Sequence, residues 1–265
     1  MKRVLTSMLP QPHRSVPLSE AEANHAVRVL RLRDGEEVEA LDGNGHAAVV
    51  LLRTRNGPPR LEFAAPRSAS AEKPILSPAQ EITPILLEMA VLKGDAMEWV
   101  IEKAVELGIR AIQPVLTAHT VVQLKNKGPE AFRIRWQKIS DQALKQCGRL
   151  ERLEILLPKS LEEAILVSST DATHPRLWCD EAARDTAPYI QRWIQDQMNP
   201  SVKSLRLLIG PEGGWSDHER DLIARAPGDN TRAISLGSLV LRAETAALFS
   251  MSLAIGAWKA RAAQS

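Results

Sequence analysis

The chain has 265 residues, 44% apolar and 25% charged, enough to bury a substantial core and too apolar for wholesale disorder. A formal net charge of +2 is too small to mark a nucleic-acid binder, so any such surface must come from local clustering. Cys147 and Cys179 are far apart and have no CxxC partner, so reduced thiols and no zinc site are expected.

The first residues, "MKRVLTSMLPQPHRS", lack the apolar core of a signal peptide. No stretch approaches the length of a membrane span, and a cytoplasmic location without membrane partners is expected. Residues 1 to about 63 read as short strands and turns around one brief helix. Ser19 with Glu22 three residues on is a capping-box pattern, and the helix it opens should end before Asp34-Gly35. "EEVEAL", the turn "DGNG" and "HAAVVLL" predict a hairpin. From Ala64 to about Pro84 the chain is rich in Ala, Ser and Pro and reads as a linker, although "PILSP" fits a short extended piece.

Beyond the linker the rhythm changes. "ILLEMAVL" predicts a strand, and "GDAMEWVIEKAVELG" a helix with Asp95 and Glu98 as a capping-box pair and Gly108 as its C-terminal cap. Met97, Val100, Ile101, Ala104 and Leu107 follow helical spacing. Then come "IRAIQPV" (strand), "PEAFRIRWQKISDQALKQC" (helix), "LEILL" and "RLWC" (strands), "APYIQRWIQDQM" (helix), "LRLLIG" and "TRAISLG" (strands), and a helix from about Ala243 to Lys259. Strands alternating with helices predict a mainly parallel sheet covered on both faces. The expected fold class is α/β, with a small β-rich domain ahead of it.

Two stretches carry the chemistry. "LLIGPEGGWSDHE", residues 207 to 219, is a buried strand end, a glycine turn and a helix start capped by Ser216 with Glu219. It is neither a P-loop nor GxGxxG, and Glu212 would repel a phosphate, so a ligand without phosphates, read by backbone groups, fits better. A tight turn with no ligand is the alternative. "ISLGSLVLRAETAALFSMSLAIGAW", residues 234 to 258, is again a strand and a glycine loop, followed by Arg242 and Glu244 at a helix start. A cation at a helix N-terminus is electrostatically unfavourable, so Arg242 should have a partner: a bound anion, or Glu244 itself.

With both stretches read, the chain resembles a known family. "IGPEGG" followed by "LG..VLR.ETA" looks like the paired motifs of the SPOUT methyltransferases. Within them it is similar to the bacterial 16S ribosomal RNA (uracil(1498)-N(3))-methyltransferases. The likeness runs upstream through "KGDAMEWVIEKAVELGI", "WQKI" and "QCGR" to "NHAVRVLRLRDGEEVEALDGNG", similar to that family's PUA-like RNA-binding domain. The resemblance implies a PUA-like domain over residues 1–70 and a SPOUT α/β domain with a C-terminal deep trefoil knot over 71–265.

It also implies S-adenosylmethionine as cofactor. The turn for it would be Leu208, Ile209, Gly210, Pro211, Glu212, Gly213 and Gly214, and the second wall Leu236, Gly237, Val240 and Leu241. Arg242 would stabilise charge on a reacting uracil, and Glu244 would orient Arg242 or accept the N3 proton, with orientation preferred. The substrate implied is 16S rRNA in the small ribosomal subunit. Arg14, His25, Arg28, Arg31, Arg33 and Arg149 are its candidate contacts, alongside a second basic run of Lys125, Lys127, Arg133, Arg135, Lys138, Lys145 and Arg152. Either run reads equally as a solvated face. Leu239 and His119 stand where the family commonly has arginines. The resemblance implies a homodimer, and Leu248, Phe249, Met251, Leu253, Ile255 and Trp258 make the final helix apolar around much of its circumference. The alternative is a core helix covered by "APYIQRWIQDQM". Other functional readings are a SPOUT enzyme acting on ribose or tRNA, and a non-catalytic RNA-binding assembly factor. A nicotinamide oxidoreductase lacks its glycine fingerprint.

Overall fold

The computed structural model describes residues 1–64, 82–121, 128–166, 173–197, 201–226 and 230–262. The chain divides into two units, Met1–Glu81 with Asp141–Arg152, and Ile82–Ser140 with Leu153–Ser265. Most of the expected linker lies outside the described residues, and its last two positions, Thr83 and Pro84, belong to a strand.

In the first unit, β1 (Arg3–Leu5), β2 (Val16–Pro17), β3 (Glu37–Leu41), β4 (Ala47–Arg53) and β5 (Arg60–Phe63) form one sheet in the order β1-β3-β4-β5-β2. β3 and β4 are the expected hairpin, paired antiparallel from Leu41 opposite Ala47. Alternation places Val38, Ala40, Val50, Leu52 and Leu61 in its core. Ser19 caps α1 (Glu20–Asn24) as expected, its hydroxyl accepting from the Glu22 amide. The Glu22 carboxylate does not complete a capping box. It accepts from the Leu5 amide at 3.0 Å and pairs with Lys145 at 2.5 Å. α1 runs on as a π-helical turn, His25–Val29, and ends before Asp34.

The second unit holds β6 (Thr83–Ala90), β7 (Ile109–Leu116), β8 (Glu154–Ile155), β9 (Lys159–Ser160), β10 (Arg176–Cys179), β11 (Leu205–Ile209) and β12 (Thr231–Ile234). The sheet order is β12-β10-β11-β6-β7-β8, with β9 also on β7. Its pairings are all parallel, as the alternation of strands and helices predicts. "LEILL" contributes only Glu154–Ile155, because β8 pairs with β7 at Ala111 and Ile112 before β9 takes over at Val115 and Leu116.

The helices are α2 (Asp95–Leu107), α3 (Gly128–Cys147), α4 (Leu161–Leu166), α5 (Ile190–Gln197), α6 (Asp217–Ala224) and α7 (Ala243–Ala262). α2 corrects one expectation. Gly94, at φ 61°, is the cap, so Asp95 is already helical and Glu98 pairs instead with Arg135 of α3. Gly108 ends the helix in the left-handed region, as its sequence predicts. α7 packs on β6, β11, α2 and α5. The segment proposed as its same-chain cover therefore does cover it, with Tyr189 and Phe249 rings 6.5 Å apart. Met251, Ile255 and Trp258 are buried, while Leu248, Phe249 and Leu253 are half-buried.

A buried charge cluster ties three strands across one face. Arg176 of β10 donates twice to Glu88 of β6, at 2.6 and 2.9 Å, and once to the Ala164 carbonyl at 3.0 Å. Arg206 of the intervening β11 reaches Glu88 at 3.5 Å.

Candidate active site

Three loops leave the carboxyl ends of the neighbouring strands β12, β10 and β11, the edge at which open parallel sheets bind ligands. After β11, the Gly210–Gly214 turn leads into α6 through the predicted capping box. The Ser216 hydroxyl accepts from the Glu219 amide, and Glu219 returns the bond. Glu219 also accepts from the Ala118 amide at 2.8 Å, and His119 Nδ1–H donates to the Gly214 carbonyl at 2.8 Å. The 117–120 turn is thereby clamped against the glycines.

The glycines have a different cause from the one expected. A Cβ on Gly210 would lie 2.8 Å from the Trp215 ring, and one on Gly213 3.0 Å from His119 Cβ. At Gly214, φ is +70° and a Cβ would collide with the Glu181 carboxylate. The protein's own indole, imidazole and carboxylate fill these places. Gly237 is the contrast: at φ +121° it demands glycine, yet its missing side chain would meet nothing within 4 Å.

That residue belongs to the second loop, after β12. The Ser235 hydroxyl accepts from the Gly237 amide at 3.2 Å, and Leu239 and Val240 follow, 77% and 65% exposed. Arg242 immediately precedes α7 and its carbonyl accepts the first helical bond, from the Ala246 amide at 2.8 Å. Its guanidinium makes no ion pair or hydrogen bond among the described residues, nor does the Glu244 carboxylate. The expected Arg242–Glu244 pairing is therefore not formed, and the costly cation at this helix start has no partner among the described residues.

The third loop, Asp180 to Arg184 after β10, escaped sequence reading. Arg220 of α6 holds it, donating to Asp180 at 3.2 Å and Glu181 at 2.7 Å. The Trp215 indole N–H donates to the Cys179 carbonyl at 3.0 Å, fastening this loop to the glycine turn. Acidic residues directly after a buried strand were the available signal, in "WCDEAA". Burial pushes the Cys179 thiol up to about 12, so it is no nucleophile.

The three loops enclose a cavity of about 640 Å³, room for a ligand of cofactor size. Ile209 to Gly214, Leu236, Gly237, Val240, Leu241, Arg242 and Glu244 all line it, as do Asp180, Glu181 and Arg184. Leu208 does not. Alternation along β11 turns it to the opposite face, into a core with Trp178, Trp215 and Ile223.

A sequence model described as the RNA methyltransferase domain matches residues 79–255, two-thirds of the chain. The chain belongs to this RNA methyltransferase family. The corresponding RNA methyltransferase PUA domain matches residues 18–52. The chain is 26% identical over 259 residues to ribosomal RNA small subunit methyltransferase E of Bacillus subtilis, covering 95% of each protein. With the Synechocystis protein of that name it shares 29% over 243 residues, 88% of this chain and 70% of the relative. A Legionella pneumophila protein assigned as a methyltransferase and solved with its cofactor SAM superposes with a TM-score of 0.80. It is 26% identical, with 96% of this chain and 97% of that one covered.

For an RNA methyltransferase, the placement of cations matters next. Arg14, Arg28, Arg31 and Arg33 are exposed; the guanidiniums of Arg14, Arg28 and Arg31 have no partner among the described residues, whereas the Arg33 charge acts on Glu36. His25 is half-buried. Burial first, then the Lys145 charge, lowers its pKa, so it offers a phosphate no charge at neutral pH. Arg149 is a correction. It is 3% exposed, its Nε–H donates to the Glu151 carbonyl at 2.6 Å, and burial lowers its pKa to about 10. The second basic run is largely neutralised within the protein: Arg133 pairs with Glu130, Arg135 with Glu98, Lys145 with Glu22 and Arg152 with Asp141. Lys125 and Lys127 lie outside the described residues.

Proposed function

We propose that this RNA methyltransferase transfers a methyl group from S-adenosylmethionine to N3 of uridine 1498 in 16S rRNA of the small ribosomal subunit. One observation carries the reading: a guanidinium and a carboxylate without partners among the described residues, Arg242 and Glu244, flank a cofactor-sized cavity at the carboxyl ends of parallel strands. Gly237 leaves open space at that cavity, and Ile209, Leu236, Val240 and Leu241 give it the apolar lining an adenosine needs. The cofactor would supply a methyl group that is already activated. The protein's work is alignment and charge. Uracil N3–H is a weakly acidic imide, so negative charge develops over O2, N3 and O4 as the proton leaves. Arg242 stabilises that charge. Since Glu244 does not anchor Arg242, its carboxylate is the proton acceptor.

Exposed Arg28, Arg31 and Arg33 within the family's PUA match support phosphate contacts in a PUA-like domain over residues 1–70, ahead of a SPOUT domain over 71–265. The resemblance supports threading of the C-terminal segment into a deep trefoil knot. An experimental chain trace without that threading would remove it. A cytoplasmic location follows from the substrate; among the described residues no helix is long and apolar enough to cross a membrane.

The direct test is incubation of the protein and S-adenosylmethionine with small subunits from a strain deleted for it. Mass spectrometry should find 3-methyluridine restored at one position. Methylation of ribose or of tRNA instead would reassign the substrate, and no methyl transfer at all would favour an assembly factor. A homodimer is also proposed, with half-buried Leu248, Phe249 and Leu253 in its interface. Sedimentation giving only a 29.2 kDa species at micromolar concentration would reject it.

A further inference from the structure

We infer that Asp180 reads the ribose hydroxyls of the cofactor, with Arg220 as its positioning residue; this rests on the S-adenosylmethionine reading above. Asp180 lines the cavity although it is only 7% exposed. One carboxylate oxygen, Oδ1, accepts from the Ala182 amide at 3.1 Å and from Arg220 Nε at 3.2 Å. Oδ2 accepts nothing among the described residues. That oxygen keeps its acceptor capacity for a hydroxyl of a ligand in the cavity that Asp180 lines.

Its place in the sheet says which donor. β10 and β11 are parallel neighbours in register, Cys179 opposite Ile209, so Asp180 stands level with Gly210 one strand spacing away, roughly 4.8 Å. A carboxylate at the end of the strand beside a glycine turn is the arrangement with which dinucleotide-binding sheets hold a ribose diol. Glu181 is less suited, since Arg220 already holds it and it fills the place a Gly214 side chain would take. Arg220 is itself fixed by three carboxylates, the third being exposed Asp217 at 3.4 Å, so it sets the Asp180 rotamer rather than touching the ligand.

Calorimetry on the full chain tests this with S-adenosylhomocysteine, with 5′-methylthioadenosine, which keeps the ribose but lacks the amino-acid tail, and with the 2′-deoxy and 3′-deoxy forms of the latter. Asp180→Asn should weaken both parent ligands by about tenfold or more, the scale of one charge-assisted hydrogen bond. Asp221→Asn, an exposed carboxylate paired with Arg225, should match the wild type. At least one deoxy analogue should bind the wild type correspondingly less well, and lose no more on Asp180→Asn. The wild-type analogue series stands even if that variant misfolds. Equal binding of parent and both deoxy ligands to the wild type overturns the inference. So does a loss confined to S-adenosylhomocysteine, which would make the amino-acid tail the donor. A wild type that binds neither S-adenosylmethionine nor S-adenosylhomocysteine would instead sink the cofactor reading itself.

Discussion

Arg242→Ala is expected to leave S-adenosylmethionine affinity nearly unchanged and to lower turnover by about a hundredfold or more, the scale for losing one charge-stabilising donor. The guanidinium has no partner among the described residues and stands at a helix start where its charge is unfavourable, so truncation should cost the fold little. Its contribution then belongs to the moment when the uracil carries charge, and interactions made only there change turnover rather than ground-state binding. Arg242→Lys should recover little if a planar, two-point contact to the uracil is needed. Single-turnover rates and calorimetry on the same preparations separate the two effects. If Arg242→Ala loses cofactor affinity while keeping its melting temperature, the arginine belongs to the cofactor site and the assignment fails.

Glu88→Ala should be the most damaging single change to stability, about 3–5 kcal/mol, because it leaves the Arg176 guanidinium buried without its counter-charge. Glu88 is 2% exposed and Arg176 1%, so water cannot take the carboxylate's place. Urea denaturation gives the loss directly. Replacing both charges, Glu88→Leu with Arg176→Met, should recover most of it, since the desolvation cost then disappears along with the attraction. A double variant as unstable as Glu88→Ala would mean that the strands depend on the ion pair for more than its charge balance.

That cluster also marks where local reading stops. The capping box of α6, the glycine that ends α2 and the β3–β4 hairpin are set by residues within a few positions of one another, and each was legible. The Arg176–Glu88 contact depends on β11 inserting between β10 and β6, and no local period encodes strand order. The same limit hid the Asp180 loop. The glycine turn drew attention to its own neighbours, whereas the wall beside it comes from a different strand end. Glycine spacing pointed to residues that line the cavity but was a poor guide to why they are glycines, because Trp215, His119 and Glu181 occupy the room those residues leave. Arg149 misled for a related reason: a basic residue in a basic run carries no mark of its burial.

The edge position of β12 has a consequence for how the chain is made. Among the described residues β12 pairs with β10 alone, and it is synthesised after every other strand of the sheet. Until it arrives, β10 is itself an edge: four residues buried in the finished protein, with one row of amides and carbonyls unpaired. A chain interrupted before Thr231 would therefore present a sticky strand as well as an unfinished cavity. The segment from Thr231 protects the nascent protein from association with its own copies in the same step that gives it a place for a ligand.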